Sequence, residues 1–303
     1  MTGSRGSIDI AAAAQLACLL EVSAAKPGNV SRVSAFDDTT YEDFLASAAA
    51  IGAPLGAAGD HPLGETIHDC IRATRRWTRV NTNLGIVLLL VPLARAAARV
   101  GTGRLSIPAT DLRAAVTDVL ANTTVADARE VYAAIRLASP GGLGTADNQD
   151  VADEPTVTLR EAMLLAADRD DIAREYSTGF ETTFEVAAPA LDRALTAGLG
   201  WNDAVVETFL TLLATRADTH IARRAGPAVA VAVSSQARAV LAEGGVRTDR
   251  GRAAVARLDE SLRGGDNLTS PGTTADLTSA AIFVVLLGGG WHSATGGIGA
   301  AAR

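Results

Sequence analysis

The stretch Leu84 to Ala98 constrains the fold most. It is apolar nearly all round, so as a helix it has no face for water and belongs at the centre of the molecule. Pro92 lies inside it and predicts a kink. Asn81-Thr82-Asn83 stands directly before it. The N-terminus of a buried helix aims several N–H groups and a partial positive charge at whatever lies there. Capping explains one polar residue at that place well, and three in a row less well.

The remaining sequence reads as helices around that centre. Hydrophobic residues make up 48% of the 303 and aromatics only 4%, so Ala and Leu fill the core. That favours close-packed helices over a sheet of β-branched and aromatic residues. No segment alternates with period 2, no internal repeat is present, and no linker is long enough to divide the chain. The expected fold is all-α: a single multi-helix domain over 8–290 around a buried central helix, without significant sheet. Residues 1–7 are expected to be disordered and 291–303 to form a flexible tail.

Cap signals place the helices. Ser7 or Asp9 opens the first, which Pro27-Gly28 ends. Thr40-x-x-Asp43, Thr124-x-x-Asp127 and Thr158-x-x-Glu161 read as capping boxes. Gly52 to Asp60 reads as a loop, and a helix beginning near Pro62 runs to about Arg79. A long helix is expected from Phe180 to Leu195, and another from Asn202 as its cap to Ala217. Pro227 restarts a helix to about Leu241, Thr248 to Arg263 is a peripheral one, and Leu277 to Leu287 is the last.

Composition excludes several functions. A formal net charge of -7 gives no general affinity for nucleic acid or an anionic membrane. Cys18 and Cys70 lie on apolar faces and read as buried small hydrophobes in a reducing compartment. The four histidines lack zinc-ligand spacing. No signal peptide is visible, and Ile86 to Leu93 is too short to span a bilayer. A cytoplasmic location follows, which makes the Asn-x-Ser/Thr triplets at Asn29, Asn122 and Asn267 chance sequons.

Four polar segments punctuate the apolar helices. Lys26-Pro27-Gly28-Asn29-Val30-Ser31-Arg32 puts two cations on a rigid turn, with Asp37 and Asp38 beyond. Asn81 to Gly85 is the second. Asp218 to Gly226 brings together a carboxylate, the Thr219 hydroxyl and the guanidiniums of Arg223 and Arg224; its structural alternative is a helix-terminal ion pair closed by a glycine. Ser270 to Asp276 offers Gly272, Thr273 and neighbouring hydroxyls at a helix start, where Asp276 is also ordinary dipole compensation. Together these supply the cations, hydroxyls and carboxylates of a magnesium-nucleotide site. Arg72, Arg75, Arg76 and Arg79 form a helical stripe, either a solvated cationic face or a polyphosphate clamp. Ser139 to Gly144 reads as a lid or a long surface loop, and Asp168-Arg169-Asp170-Asp171 as a solvated turn rather than a metal site. No Walker-type loop and no G-x-G-x-x-G occurs, which excludes the standard α/β nucleotide folds.

From about Leu16 to Leu287 these segments resemble, in order, the motifs of the triphosphoribosyl-dephospho-CoA synthase family. The first is Glu21-Val22-Ser23 with Lys26-Pro27-Gly28 and Arg32. The others are Asn81-Thr82 with Gly85, Asp218-Thr219 with Arg224 and Gly226, and Ser270-Pro271-Gly272 with Ala275-Asp276. The resemblance implies an all-helical enzyme that transfers the 5-triphosphoribosyl group of ATP to the 2'-hydroxyl of 3'-dephospho-CoA and releases adenine. Departures mark a divergent branch. Asn83-Leu84 stands where the family has His-Lys, Arg223-Arg224-Ala225-Gly226 where it has His-Arg-Gly-Gly, Thr273-Thr274 where it has Gly-Ser, and Ser139-Pro140-Gly141-Gly142 where it has Gly-Ala-Arg-Gly.

The implied roles are these. Asp38, Asp218 or Asp276 supplies the general base, and Asp218, with Asp276, holds Mg²⁺ on the triphosphate. Lys26, Gly28, Arg32, Asn81, Thr82, Asn83, Thr219, Arg223, Arg224, Gly226, Ser270, Gly272 and Thr273 bind substrate and phosphate. The expected partners are ATP and a small acceptor, dephospho-CoA or a related cofactor precursor, with a homodimer as a further expectation. The alternatives are related ribosyl transfer in one-carbon (methanopterin-type) cofactor synthesis, or a non-catalytic nucleotide-binding helical protein. A prenyl-synthase type is disfavoured, because Asp37-Asp38-Thr39-Thr40-Tyr41 lacks a third carboxylate and has no second copy.

Overall fold

The computed structural model describes residues 9–104, 106–264 and 267–291, so the expectations for 1–7 and for the tail beyond Trp291 fall outside the described residues. The first half of the chain forms α1 (Ile10–Ser23), α2 (Tyr41–Ala50), α3 (Gly52–Gly56), α4 (Leu63–Thr74), α5 (Leu84–Val100), α6 (Ala109–Ala121) and α7 (Val125–Ala138). The second half forms α8 (Leu159–Ala166), α9 (Asp171–Thr178), a π-helical turn (Thr182–Ala187), α10 (Ala188–Thr196), α11 (Trp201–Thr215), α12 (Thr219–Ala225), α13 (Pro227–Ala242), α14 (Asp249–Leu262) and α15 (Gly272–Leu287). Extended pairing among the described residues amounts to an isolated bridge between Ser31 and Ser34. The fold is all-α, as the sequence implied.

Two helices share the centre rather than one. Every residue of α5 from Ile86 to Ala94 is buried, and α15 is buried over Thr273–Ala275, Leu277–Val285 and Leu287. Neither has a solvent face, so each must be enclosed by others. They pack on each other, with α1 laid on α15, α4 and α6 on α5, and α10 and α11 on α15. The apolar core is continuous from Ala14 to Leu287.

Local signals hold where they are complete within a few residues. Asp9 caps α1, and all three capping boxes form, with Asp43, Asp127 and Glu161 closing back on Thr40, Thr124 and Thr158. Pro92 sits inside α5 without ending it. Proline has no N–H for the carbonyl four residues back, which here is Leu88. The buried Tyr176 hydroxyl donates to that carbonyl at 2.7 Å and supplies the missing bond.

Other boundaries differ from the reading of the sequence. Gly52–Gly56 is a short helix, not a loop, and α4 stops at Thr74 rather than Arg79. Helix α11 starts at Trp201, and Asn202 bonds Asp203 instead of capping. The long helix expected from Phe180 is broken: Phe180 is left-handed at φ 58° and a π-helical turn follows. Buried Glu175 accepts from Thr182 N, Thr183 N and Thr183 Oγ1 there, so a side chain replaces the helical ladder. Helix α15 begins at Gly272, which puts Asp276 in its second turn, beyond simple dipole compensation.

Candidate functional site

The two central helices start side by side. A Cβ built on Gly85 would lie 2.0 Å from Asp276 Oδ2, so the carboxylate of α15 rests on the first turn of α5, and only glycine allows it. No hydrogen bond reaches that carboxylate among the described residues. Burial, then the charges of Glu21, Asp218 and Asp170, push Asp276 well above the ordinary carboxylate range, with Arg223 opposing.

Asp276 faces a cavity of about 760 Å³. Its floor carries Glu21 of α1, Asn81 to Gly85 and the start of α15. Arg75 and Arg79 stand to one side, and Arg169, Arg223 and Arg224 also line it. The Ser139–Gly144 loop and its continuation to Val151 form another wall. The cavity therefore combines the carboxylates of Glu21, Asp38, Asp150, Asp170 and Asp276 with the guanidiniums of five arginines.

Of the residues expected to act, the structure brings Asp38, Asn81, Thr82, Asn83, Arg223, Arg224, Ser270, Gly272, Thr273 and Asp276 into this lining. The Asn-Thr-Asn run has structural duties as well. Asn81 Oδ1 accepts from Leu84 N at 3.1 Å and caps α5, Thr82 shares a hydrogen bond with Ser47 of α2, and Asn83 donates to Thr74 Oγ1 at 2.9 Å. Arg223 donates to Asp170 Oδ2 at 2.6 Å, while its Nε is buried without a partner among the described residues. Arg224 donates to the Asn267 carbonyl at 3.0 Å. Asp38 is exposed at the cavity edge and accepts from the Thr39 hydroxyl.

The other expected residues lie behind the wall, which corrects their direct roles. Lys26 is 1% exposed, and its ammonium pairs with Glu21 Oε1 at 2.9 Å and bonds the Glu21 and Ala24 carbonyls. It is committed to the end of α1 and not offered to a phosphate. Gly28 takes a positive φ of 71° against Leu262 and donates its N–H to Asp259, and Arg32 is exposed away from the lining. Asp218 is 2% exposed: Oδ1 caps α12 through Ile221 N, and Oδ2 accepts from Thr274 N and Thr274 Oγ1, both at 2.7 Å. That carboxylate clamps the starts of α12 and α15 together and does not line the cavity. Thr219 joins Asp171 N to Thr273 Oγ1 in the same seam, and Gly226 closes α12 at φ 99°.

Asp218 commits its oxygens to Ile221 and Thr274, so of the two carboxylates expected to hold magnesium Asp276 is the one that lines the cavity. Among the described residues no group of three or more His, Cys, Asp or Glu side chains could hold a metal ion.

Several lining residues carried no such expectation. Glu21 lay inside a motif, but its use depends on Lys26 folding back five residues to hold it. Asp170 and Asp171 read as a solvated turn; Asp170 instead caps α9 and pairs with Arg223, and buried Asp171 pairs with Arg216. The arginine stripe divides because α4 ends early: Arg75 and Arg79 turn to the cavity, while Arg72 pairs with Asp69 and lies with Arg76 on another groove. His220 lines the cavity too, its Nδ1 meeting the Ser270 carbonyl at 3.1 Å.

A family model described as CitG, ATP:dephospho-CoA triphosphoribosyl transferase, matches residues 7–295. The chain belongs to this family. The triphosphoribosyl transferase family also accounts for the fold. The crystal structure of an Archaeoglobus fulgidus protein, provisionally described as a triphosphoribosyl-dephospho-CoA synthase, superposes with a TM-score of 0.65 at 29% identity, over 84% of this chain and all of that one. A Klebsiella pneumoniae 2-(5''-triphosphoribosyl)-3'-dephosphocoenzyme-A synthase is 34% identical over 110 residues, 36% of this chain and 39% of that protein. A Pseudomonas syringae protein provisionally given the same name is 35% identical over 113 residues, 37% of this chain and 38% of its own. The match thus spans about two fifths of the length of these curated relatives. Among the described residues no helix is long and apolar enough to cross a membrane.

Proposed function

We propose that this protein transfers the 5-triphosphoribosyl group of ATP to a hydroxyl of 3'-dephospho-CoA and releases adenine. The observation that carries this reading is Asp276, a carboxylate with no hydrogen-bond donor among the described residues, set where α5 and α15 begin in a cavity that five arginines line. Displacing adenine from ribose builds positive charge at C1, and an anion fixed beside that carbon favours the transition state over the ground state. Burial makes the ionised Asp276 costly until such a charge appears next to it. Glu21, whose Oε1 meets the Lys26 ammonium at 2.9 Å, is a second carboxylate on the same floor.

Arg75, Arg79, Arg223 and Arg224 suit the triphosphate, since guanidiniums grip phosphate oxygens bidentately. The N-termini of α5 and α15 add partial positive charge. Magnesium enters this reading on the phosphates of the nucleotide, with Asp276 as the carboxylate in the lining nearest the helix starts. The named relatives support dephospho-CoA as the acceptor over a one-carbon, pterin-type acceptor and over binding without turnover.

The test is incubation with ATP, Mg²⁺ and 3'-dephospho-CoA, with chromatography for adenine and mass analysis of the nucleotide product. One adenine per triphosphoribosylated dephospho-CoA is expected. Adenine release that ignores the acceptor, or none at all, would count against the reading.

A further inference from the structure

Among the described histidines, His220 alone lines the cavity. It lies in the first turn of α12, which Asp218 caps and clamps to α15. Its Nδ1 meets the Ser270 carbonyl, which can only accept, so Nδ1 carries the proton and Nε2 is the acceptor of the neutral ring. Gly272 seats the Nδ1 edge: a Cβ there would come within 2.7 Å of Nδ1. Nε2 has no hydrogen-bond partner among the described residues. It is not sealed off either, since among the described residues the buried side-chain nitrogen or oxygen without a partner is Arg223 Nε. A ring held at Nδ1 by the Ser270 carbonyl, on a residue that lines the cavity, leaves Nε2 as its one basic atom.

We propose that His220 is the general base of the transfer, with Nε2 accepting the proton of the acceptor hydroxyl. This rests on the triphosphoribosyl-transfer reading above. The hydroxyl oxygen forms a bond to ribose C1 as the C1–N9 bond breaks. The bonding pair leaves with adenine, which takes a proton from solvent at a ring nitrogen. The hydroxyl proton moves to Nε2 and later to water.

The carboxylates first considered for this task are less suited. Asp218 has both oxygens committed, Asp38 is exposed at the edge, and Asp276 serves better as an anion. A neutral base also meets no repulsion from a phosphate-laden pair of substrates. Burial is the main influence that lowers the imidazole pKa, and Arg223 and Arg224 act in the same direction; Asp218 and the Ser270 carbonyl oppose them. From other elements, Asp276 of α15, Glu21 of α1 and Asp170 before α9 line the same cavity.

Adenine release by the full chain, with ATP and 3'-dephospho-CoA, is followed across the acid-to-neutral range for wild type, His220→Asn and His220→Gln. Asparagine keeps an N–H for the Ser270 carbonyl but has no base. The expected result is a kcat lower by about 10²- to 10⁴-fold, little change in the KM for ATP, loss of the acid limb of the kcat profile, and partial rescue by added imidazole. Persistence of the acid limb in both variants, with kcat near wild type, overturns the role of His220 and leaves the transfer reading intact. No adenine release by the wild type overturns both. Should neither variant fold, the His220 ring is titrated by NMR in the wild type: coincidence with the acid limb supports the role, and a mismatch overturns it.

Discussion

Two aspartates in this chain look alike in sequence and differ completely in surroundings. Asp218 accepts hydrogen bonds from Ile221 N, Thr274 N and Thr274 Oγ1, whereas Asp276 accepts none among the described residues and sits against Gly85. Opposite effects follow from removing their charges. Asp276→Asn is expected to slow adenine release by about 10²- to 10³-fold and to raise Tm at neutral pH. The sign comes from its elevated pKa: the native state favours the protonated acid, so ionisation weakens the fold as pH rises through the native pKa. The stability gain of the amide should vanish below the ordinary carboxylate range, where wild-type Asp276 is protonated both folded and unfolded. Thermal melts at acid and neutral pH check this. Asp218→Ala, in contrast, should lower stability by about 1–3 kcal/mol in urea unfolding, because it removes a helix cap and leaves buried donors of Thr274 unpaired. A variant of Asp218 that kept full stability would show that the clamp is not what this carboxylate does.

At the level of helices, sequence signals succeeded where cause and effect lie within one turn. Thr40 with Asp43, Thr124 with Asp127 and Thr158 with Glu161 each close a box on themselves, so no distant contact can overrule them. Features that depend on distant partners were not legible. Pro92 survives inside α5 because Tyr176, far along the chain, serves the Leu88 carbonyl. The break after Thr178 depends on Glu175 reaching ahead to Thr182 and Thr183. Tyr176→Phe should cost about 1–3 kcal/mol, read as a lower urea midpoint at unchanged m-value, by stranding that carbonyl in the core. An unchanged midpoint would mean that the carbonyl finds another donor.

Across the whole molecule, the motifs indicated which segments converge but not which of their atoms face inward. Lys26 belongs to a motif at the cavity and still turns its ammonium to Glu21, because a buried cation needs a local anion more than a distant ligand. Arg75 and Arg79, on the contrary, gained a role when α4 ended early. The net charge of -7 repels anionic substrates at long range, so the ring of arginines must act locally. Replacing Arg75 and Arg79 with Gln together should therefore raise the KM for ATP with a smaller effect on kcat, the pattern of lost binding shared by ground and transition states. Steady-state kinetics at varied ATP separates the two, and a loss confined to kcat would move these arginines from binding to chemistry.

All of this converges on one geometric claim, that a single cavity between the starts of α5 and α15 holds ATP with its ribose C1 beside Asp276. A crystal structure with bound ATP tests it most directly. The expected density places triphosphate oxygens against Arg75, Arg79, Arg223 or Arg224 and the sugar over Gly85 and Asp276. Nucleotide found on any other face of the molecule, or in this cavity with its adenine rather than its phosphates among the arginines, would contradict it.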